Sequence, residues 1–169
     1  MTENKVNHLI FSSSCSVYGN TSQLPVIEET PILAAESPYA ATKQMGERII
    51  IDFTASQPQF NSILLRYFNP AGAHPSGFLG EYPNNAVKNL VPILMDTITG
   101  KREHIVVYGN DYPTRDGTCI RDYIHIMDLA DAHTKSLFYL KLSKNKTQIE
   151  IFNVGIGKGV TVLEAIQAT

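Results

Sequence analysis

The first 68 residues contain three segments that follow one another as strand, helix and strand. Residues 9–11 form an apolar run that ends in serines, which is typical of a buried strand. Ser37 and Pro38 predict a helix N-terminus, and apolar residues recur every fourth position behind them to about residue 56. Residues 62–68 predict a second buried strand. Because a helix that joins two strands is the signature of a parallel sheet, the sequence predicts an α/β fold.

The rest of the chain alternates in the same way. Two polar segments, 69–85 and 109–118, are long enough to be binding loops. The elements predicted around them are helix 86–99, strand 105–108, strand 123–126, a helix capped by Asp128, strand 149–154 and a helix from Thr161.

Composition narrows the class of protein. The 169 residues are 43% hydrophobic and 18% charged, as in an ordinary globular domain. A formal net charge of -2 gives no basic surface for nucleic acid or an anionic membrane. The chain has neither a signal-peptide pattern nor an apolar run as long as a membrane span. With only Cys15 and Cys119, far apart, we expect a cytoplasmic protein without a disulfide framework.

The strongest chemical signal is the pair Tyr39 and Lys43 on the first predicted helix. Residues four apart project in nearly the same direction, so the phenol and the ammonium are predicted to be neighbours. A tyrosine phenol titrates near 10, and its anion acts as a base near neutrality only when stabilised by roughly 4 kcal/mol, to which an adjacent ammonium contributes. Ser14, at a predicted strand end, could hydrogen-bond the substrate oxygen. Alternatively, the pair is a ring beside an aliphatic stem, and serines 12–16 are turn hydroxyls.

Four segments resemble the UDP-glucose 4-epimerases, a family of extended short-chain dehydrogenases/reductases. They are FSSSCSVYG at 11–19, SPYAATK at 37–43, LRYFNPAGAHPSG at 65–77 and DGTCIRDYIH at 116–125. The similarity runs nearly end to end. The Tyr-x-x-x-Lys element belongs to the whole superfamily, whereas the third and fourth segments are more particular to the epimerases.

The resemblance implies roles for individual residues. Tyr39 is the expected acid/base, Lys43 its electrostatic partner and a ribose contact, and Ser14 a third hydroxyl, all three beside the cofactor NAD. Phe68 is expected beside the nicotinamide. The expected UDP-hexose contacts are Asn69 and Arg121 at the diphosphate, Asn89 and Leu90 at the nucleotide sugar, and Val106 and Tyr108 at the uridine. Without the resemblance, a turn salt bridge from Arg121 to Asp122 or Asp116 is the better interpretation.

The implied reaction is the NAD-dependent interconversion of UDP-glucose and UDP-galactose through a 4-keto sugar. Related dehydratases place an Asp-Glu pair after the strand-end hydroxyl, where this chain has Cys15 and Ser16, which favours epimerisation. Two alternatives stay open: a non-catalytic remnant that at most binds UDP-sugars, and an epimerase or reductase of another nucleotide sugar.

One family element is missing from the sequence. No GxGxxG fingerprint is present, and the GxGxG at 155–159 has the wrong spacing for a dinucleotide turn. Thr161 and Glu164 instead predict a capping box after it. The resemblance therefore implies a partial Rossmann-like sheet without its N-terminal dinucleotide-binding strands, residues 1–73 being the C-terminal half of an NAD-binding domain and 74–169 part of a substrate-binding region. We expect such a chain alone to bind NAD poorly, to be unstable or aggregation-prone, and to turn over little substrate.

Two further patterns concern partners. Ala41, Met45, Ile49 and Phe53 form an apolar stripe that could build a homodimer through the Tyr39-bearing helix or could be ordinary core. His125 and His133 lie eight apart, which is not the spacing of a helical metal pair, so we expect no metal there.

Overall fold

The structure is a computed structural model that describes residues 1–81 and 89–169. Its strands and α-helices, in chain order, are β1 (His8–Ser14), α1 (Pro38–Ser56), β2 (Asn61–Tyr67), β3 (Asn69–Ala71), α2 (Leu90–Ile98), β4 (Ile120–His125), α3 (Ile126–Lys141), β5 (Ile149–Val154), β6 (Gly159–Thr161) and α4 (Val162–Gln167). Two short 3-10 helices, Thr2–Asn4 and Cys15–Tyr18, flank β1. No helix in these described ranges is long and apolar enough to cross a membrane.

The first compact unit comprises Met1–Phe68 and Asp128–Val154. It contains a parallel sheet in the order β1-β2-β5, in which Ser14 pairs with Tyr67 and Tyr67 with Val154, so the three strands end at the same edge. One face packs against α3 through an apolar core of Ile63, Leu65 and Leu140. Successive side chains of a strand point to opposite faces of the sheet, so the residues that alternate with Ile63 and Leu65 lie on the other face, which packs against α1.

Helix α1 begins where its sequence predicts. Ser37 caps it by accepting a hydrogen bond from the Ala40 amide at 3.1 Å, and proline occupies the first turn. Its buried residues are Ala40, Glu47 and Thr54, whereas Met45 and Ile49 are 57% and 67% exposed. The apolar stripe is therefore not core in this structure, and the helix turns a partly polar face to the sheet.

The second compact unit comprises Asn69–Met127 and Gly155–Thr169. Strand β4 pairs in parallel with β3 and antiparallel with β6. The predicted capping box is confirmed: the Thr161 hydroxyl accepts from the Glu164 amide at 3.1 Å, and the Glu164 carboxylate accepts from the Thr161 amide at 2.9 Å. This box starts α4 directly after β6.

Most predicted elements are present, and two are wrong. Residues 105–108 form no strand, and α3 begins at Ile126 with Asp128 inside its first turn rather than as its cap. Residues 86–88, where we predicted the start of the second helix, lie outside the described residues, and α2 begins at Leu90. The expected functional division at residue 73 stays a prediction. Residues 128–154 belong to the first compact unit, because β5 pairs with β2.

Candidate active site

Tyr39 and Lys43 lie on the same side of α1. The Lys43 Nζ is 5.5 Å from the centre of the Tyr39 ring, and Tyr39 is 53% exposed. The first turns of α1 place both residues, because a spacing of four brings side chains onto one helical face. The phenol is thus accessible and has a cation beside it, which is the arrangement that the sequence predicted.

Lys43 is held by strand β1. Its ammonium donates a hydrogen bond to the Ser12 carbonyl oxygen at 2.8 Å and lies 5.3 Å from the centre of the Phe11 ring. An ammonium has three N–H donors, so this contact leaves two for a ligand. The side chain is therefore fixed at its tip while it keeps its capacity to bind hydroxyl groups.

Ser14 is buried at the carboxyl end of β1 and caps the 3-10 helix Cys15–Tyr18. Its Oγ accepts hydrogen bonds from the Ser16 amide at 3.2 Å and from the Ser16 hydroxyl at 3.0 Å. Because both contacts use the oxygen lone pairs, the Ser14 hydroxyl hydrogen stays available to donate. The contacts of Ser14 in this structure are those of a turn hydroxyl. The same geometry leaves its O–H group able to donate one hydrogen bond.

Ser12 makes a second contact on the other face of the sheet. Its Oγ lies 3.2 Å from Nε2 of His133, whose Nδ1 lies 2.9 Å from the Leu129 carbonyl oxygen. A carbonyl only accepts, so Nδ1 carries the ring hydrogen and Nε2 accepts from Ser12. This explains His133 as a partly buried structural histidine on α3.

A buried ion pair beside this site was not predicted from the sequence. Arg66 donates to both carboxylate oxygens of Glu47, at 2.9 Å from Nε and 2.6 Å from Nη2, and the two side chains are 3% and 2% exposed. Arg66 also donates to the Tyr18 hydroxyl at 3.1 Å, and Ser13 donates to Glu47 at 2.5 Å. A signal existed: an arginine within a strand predicted to be buried needs a buried partner.

Burial and charge shift two groups of this network. Burial opposes the charge of Arg66, but the hydrogen bonds that Arg66 donates to Glu47 and Tyr18 outweigh this effect and raise the arginine pKa. Burial also raises the pKa of Tyr18, against the lowering effect of Arg66. Both shifts keep the network in one state, a guanidinium and a neutral phenol, at physiological pH.

The predicted substrate residues belong to the second unit, except for Phe68, the predicted nicotinamide contact, which ends the first. Asn69 opens β3 opposite Tyr123. Asn89 precedes α2, and its amide donates to Glu81 at 2.9 Å, while Leu90 is the first residue of the helix. Val106 and Tyr108 lie in an irregular segment and are 51% and 83% exposed. The structure gives positions for these residues, and their binding roles stay predictions.

Arg121 forms no ion pair among the described residues. Its guanidinium donates only to the neighbouring Ile120 carbonyl, at 2.8 Å. Asp122 accepts from the amides of Ile156 and Gly157 at 3.0 and 2.9 Å, and Asp116 accepts from Thr161 at 2.5 Å. The salt bridge from Arg121 to either aspartate, which was the better interpretation only without the family resemblance, is therefore wrong.

The same contacts explain the GxGxG turn at 155–159. Successive amides in such a turn can bind an anion, but here the carboxylate of Asp122 already accepts from two of them. The turn is structural, as its spacing predicted, and it does not offer a phosphate cradle.

Comparison with known proteins identifies the family. The model of the "NAD dependent epimerase/dehydratase family" matches residues 1–155. The UDP-glucose 4-epimerase of Erwinia amylovora is 47% identical over 163 residues, which are 96% of this chain and 48% of that protein. UDP-glucose 4-epimerase 2 of Arabidopsis thaliana is 46% identical over 99% of this chain and 47% of its own length. The chain thus spans about half the length of the curated relatives it matches.

Solved structures agree. A UDP-glucose 4-epimerase from Bifidobacterium longum, in complex with NAD+ and UDP, superposes with a TM-score of 0.91 at 42% identity and covers 99% of this chain and 49% of its own. One from Stenotrophomonas maltophila, with NAD and formylated UDP-arabinopyranose, gives 0.93 at 41% identity with the same coverage. The α/β fold and the resemblance stated from the motifs are confirmed. With a family model matched over residues 1–155 of 169, this chain belongs to the NAD dependent epimerase/dehydratase family.

Proposed function

We propose that this chain carries the acid/base group and part of the nucleotide-sugar site of an enzyme that interconverts UDP-glucose and UDP-galactose with NAD. The observation that carries the proposal is the accessible Tyr39 phenol with the Lys43 ammonium 5.5 Å from its ring centre. Relatives that are 46–47% identical are UDP-glucose 4-epimerases, which supports the same reaction here.

The first unit has groups that fit one end of NAD. Lys43 has two N–H donors left for ribose hydroxyls, Ser14 has a free O–H, and Phe68 supplies a ring for the nicotinamide. The GxGxG turn at 155–159 supplies no pyrophosphate site, because two of its amides donate to Asp122. NAD held by Lys43, Ser14 and Phe68 would supply hydride-transfer chemistry at C4 of the hexose.

The chain's own residues move and hold the proton. Tyr39, as the phenolate, takes the proton from the 4-hydroxyl and gives it back when the 4-keto sugar is reduced. Lys43 stabilises the phenolate by its charge. Ser14 donates a hydrogen bond to the same substrate oxygen and orients it. The Ser12 carbonyl restrains the ammonium, so Lys43 keeps its place through both half-reactions.

In the second unit, the proposed role of Arg121 is to bind the diphosphate. A guanidinium on a strand that forms no ion pair with any residue of 1–81 or 89–169 is suited to bidentate contact with phosphate oxygens. Asn69, Asn89, Leu90, Val106 and Tyr108 are the other proposed UDP-hexose contacts. Tight binding of the nucleotide and loose binding of the hexose would let the keto sugar turn over between its two half-reactions.

A chimera tests the proposal. Residues 1–169 replace the corresponding segment of the Erwinia amylovora epimerase, which is 47% identical to it. We expect this chimera to convert UDP-galactose to UDP-glucose, and Tyr39→Phe to reduce turnover by roughly 10²- to 10⁴-fold. Tyr139→Phe, at a tyrosine of α3 for which no binding role is proposed, is the matched control for loss of a hydroxyl. An inactive but folded chimera, or an unaffected Tyr39→Phe variant, would refute the proposed function.

The isolated chain separates catalysis from binding. We expect it to turn over little UDP-galactose when mixed with NAD, and to bind NAD poorly. Calorimetric titration with UDP, with and without NAD, then distinguishes a UDP-sugar binding module from an enzyme. Binding of UDP that NAD does not change, together with an inactive chimera, would favour the binding-module alternative.

Two broader proposals accompany this function. The exposed residues Met45, Ile49 and Phe53 favour a homodimer through α1, because large apolar side chains on one helix face gain stability when a partner covers them. Cys15 and Cys119 carry thiols rather than a disulfide, which favours the cytoplasm as the location. Analytical ultracentrifugation of the chimera and of Ile49→Glu tests the first of these.

A further inference from the structure

The Glu47–Arg66 pair lies one helical turn beyond Lys43 and contacts the same strand. Lys43 donates to the carbonyl of Ser12, and Glu47 accepts from the hydroxyl of Ser13. Hydrogen bonds therefore join two successive turns of α1 to two successive residues of β1. The next residue along the strand is Ser14, the third member of the proposed catalytic set.

The pair also reaches beyond β1. Arg66 comes from β2, and its Nη1 donates to the Tyr18 hydroxyl and, at 3.3 Å, to the Glu28 carbonyl. Tyr18 in turn donates to Asn153 on β5 at 2.6 Å. The network thus joins α1 to all three strands at their carboxyl ends, and to the 3-10 helix that Ser14 caps.

Stability alone does not account for such a pair. Replacing a buried ion pair with apolar residues of similar volume is often neutral or favourable, because both charges lose hydration. A fork-to-fork contact between guanidinium and carboxylate has, however, a narrow geometry that apolar packing lacks. The main effect of a buried bidentate pair is therefore to fix the relative position of the two elements that carry it, and its contribution to the free energy of unfolding is smaller.

The position of α1 matters for catalysis. A helix that slips by one residue moves by about 1.5 Å and turns by about 100°. Such a slip would carry Lys43 away from the Ser12 carbonyl and would move Tyr39 with it. Reacting groups tolerate errors of roughly 1 Å. The bidentate contact would break under the same displacement, because its two bonds are 2.9 and 2.6 Å long.

We propose that Glu47 and Arg66 are positioning residues, which set the register of α1 against β1 and so hold Lys43 at the Ser12 carbonyl, beside Tyr39. This inference rests on the proposed function for its catalytic meaning. Its structural content, that the Lys43–Ser12 and Lys43–Tyr39 contacts depend on the pair, can be tested without turnover.

The test uses two double variants. In the first, called Met/Met, both Glu47 and Arg66 are replaced by methionine (Glu47→Met and Arg66→Met); in the control, Arg48 is replaced by glutamine and Asp52 by asparagine (Arg48→Gln and Asp52→Asn). The control removes an exposed ion pair from the same helix, 2.7 Å long with side chains 78% and 58% exposed. Nuclear magnetic resonance of the chimera, labelled at lysine and tyrosine, follows the Lys43 ammonium signal and the cross-relaxation between the Lys43 side chain and the Tyr39 ring.

We expect the Met/Met variant to unfold near the wild-type temperature while both Lys43 signals weaken at least twofold, and the control to change neither. In the chimera, Met/Met should lower kcat at least tenfold with an unchanged KM, because the UDP contacts are untouched. Unchanged Lys43 signals, or an unchanged kcat, in folded Met/Met protein would overturn the inference.

The single variant Arg66→Lys replaces the test if the Met/Met variant does not fold. Lysine retains the positive charge but cannot make the two parallel hydrogen bonds of a guanidinium to the Glu47 carboxylate. The same loss of Lys43 signals or of kcat is expected from it, and their retention would overturn the inference. An inactive wild-type chimera would instead refute the proposed function, while the resonance measurements would still decide whether the pair positions Lys43.

Discussion

The ammonium of Lys43 donates a hydrogen bond to the backbone carbonyl of Ser12 at 2.8 Å, which ties the helix that carries Tyr39 to the strand that ends in Ser14. A backbone acceptor cannot be changed by substitution and does not titrate. Because this acceptor is a neutral carbonyl, it holds the lysine without neutralising the positive charge that stabilises the phenolate.

Replacing Lys43 with methionine tests this contact. The variant keeps most of the side-chain volume but loses the charge-assisted hydrogen bond, so we expect the free energy of unfolding to fall by about 1.5–3 kcal/mol. Urea denaturation of the chimera measures the free energy of unfolding, and the same variant should lose turnover. Lys101→Met, at an exposed lysine, is the control; an equal loss from both variants would contradict the role of the Ser12 contact.

Arg121→Gln tests the availability of the guanidinium. Loss of a charged hydrogen-bonding group should weaken UDP binding by roughly 10- to 100-fold. Calorimetry at two salt concentrations should also show that the variant's affinity depends less on salt than the wild type's. Arg102→Gln removes another arginine of the second unit as a control. If Arg121→Gln binds UDP as the wild type does, the assignment of Arg121 to the diphosphate is wrong.

The pH dependence of stability should contain a contribution from Glu164. The hydrogen bond from Arg115 is the main cause that lowers the pKa of Glu164 to about 2, and the Thr161 amide adds to it. A carboxyl with a depressed folded-state pKa stabilises the fold above its unfolded value, near about 4.3, and loses that contribution as pH falls towards about 2.

The measurement is the unfolding temperature of wild type and Glu164→Gln between pH 7 and pH 2. The glutamine can still complete the capping box, so the difference isolates the charge. We expect the wild type to be more stable at pH 7 and the difference to shrink between roughly pH 4.3 and 2. Glu103→Gln serves as an exposed control in the same unit. A difference that stays constant over this range would rule out the linkage.

Gly117 should tolerate no side chain. Its φ is +80°, and a Cβ there would lie 2.2 Å from the carbonyl oxygen of Asn110. Gly77 has a φ of +73° with nothing within 4 Å, so alanine there adds backbone strain alone, about 1–2 kcal/mol. Urea denaturation should therefore show a larger loss for Gly117→Ala than for Gly77→Ala. Equal losses would mean that the overlap with Asn110 relaxes freely.

The local parts of the fold could be predicted because short-range chemistry specifies them. Ser37 and Pro38 begin α1, the apolar runs form β2 and β5, and Thr161 with Glu164 begins α4. The short strands β3 and β6 could not be predicted, since each has three residues and exists through its pairing with β4. Residues 105–108 have the residue types of a strand, but pair with no neighbour among the described residues.

By itself, the sequence determined the α/β class, the family, and the neighbourhood of Tyr39 and Lys43, because a spacing of four on a helix fixes which side chains are adjacent. Only the tertiary structure decided which charges are paired. It joined Glu47 to Arg66 across 19 positions, and among the described residues it left Arg121 without an ion pair. Burial and competing backbone amides, such as those that donate to Asp122, select the partner of each charge, and no local pattern reveals them.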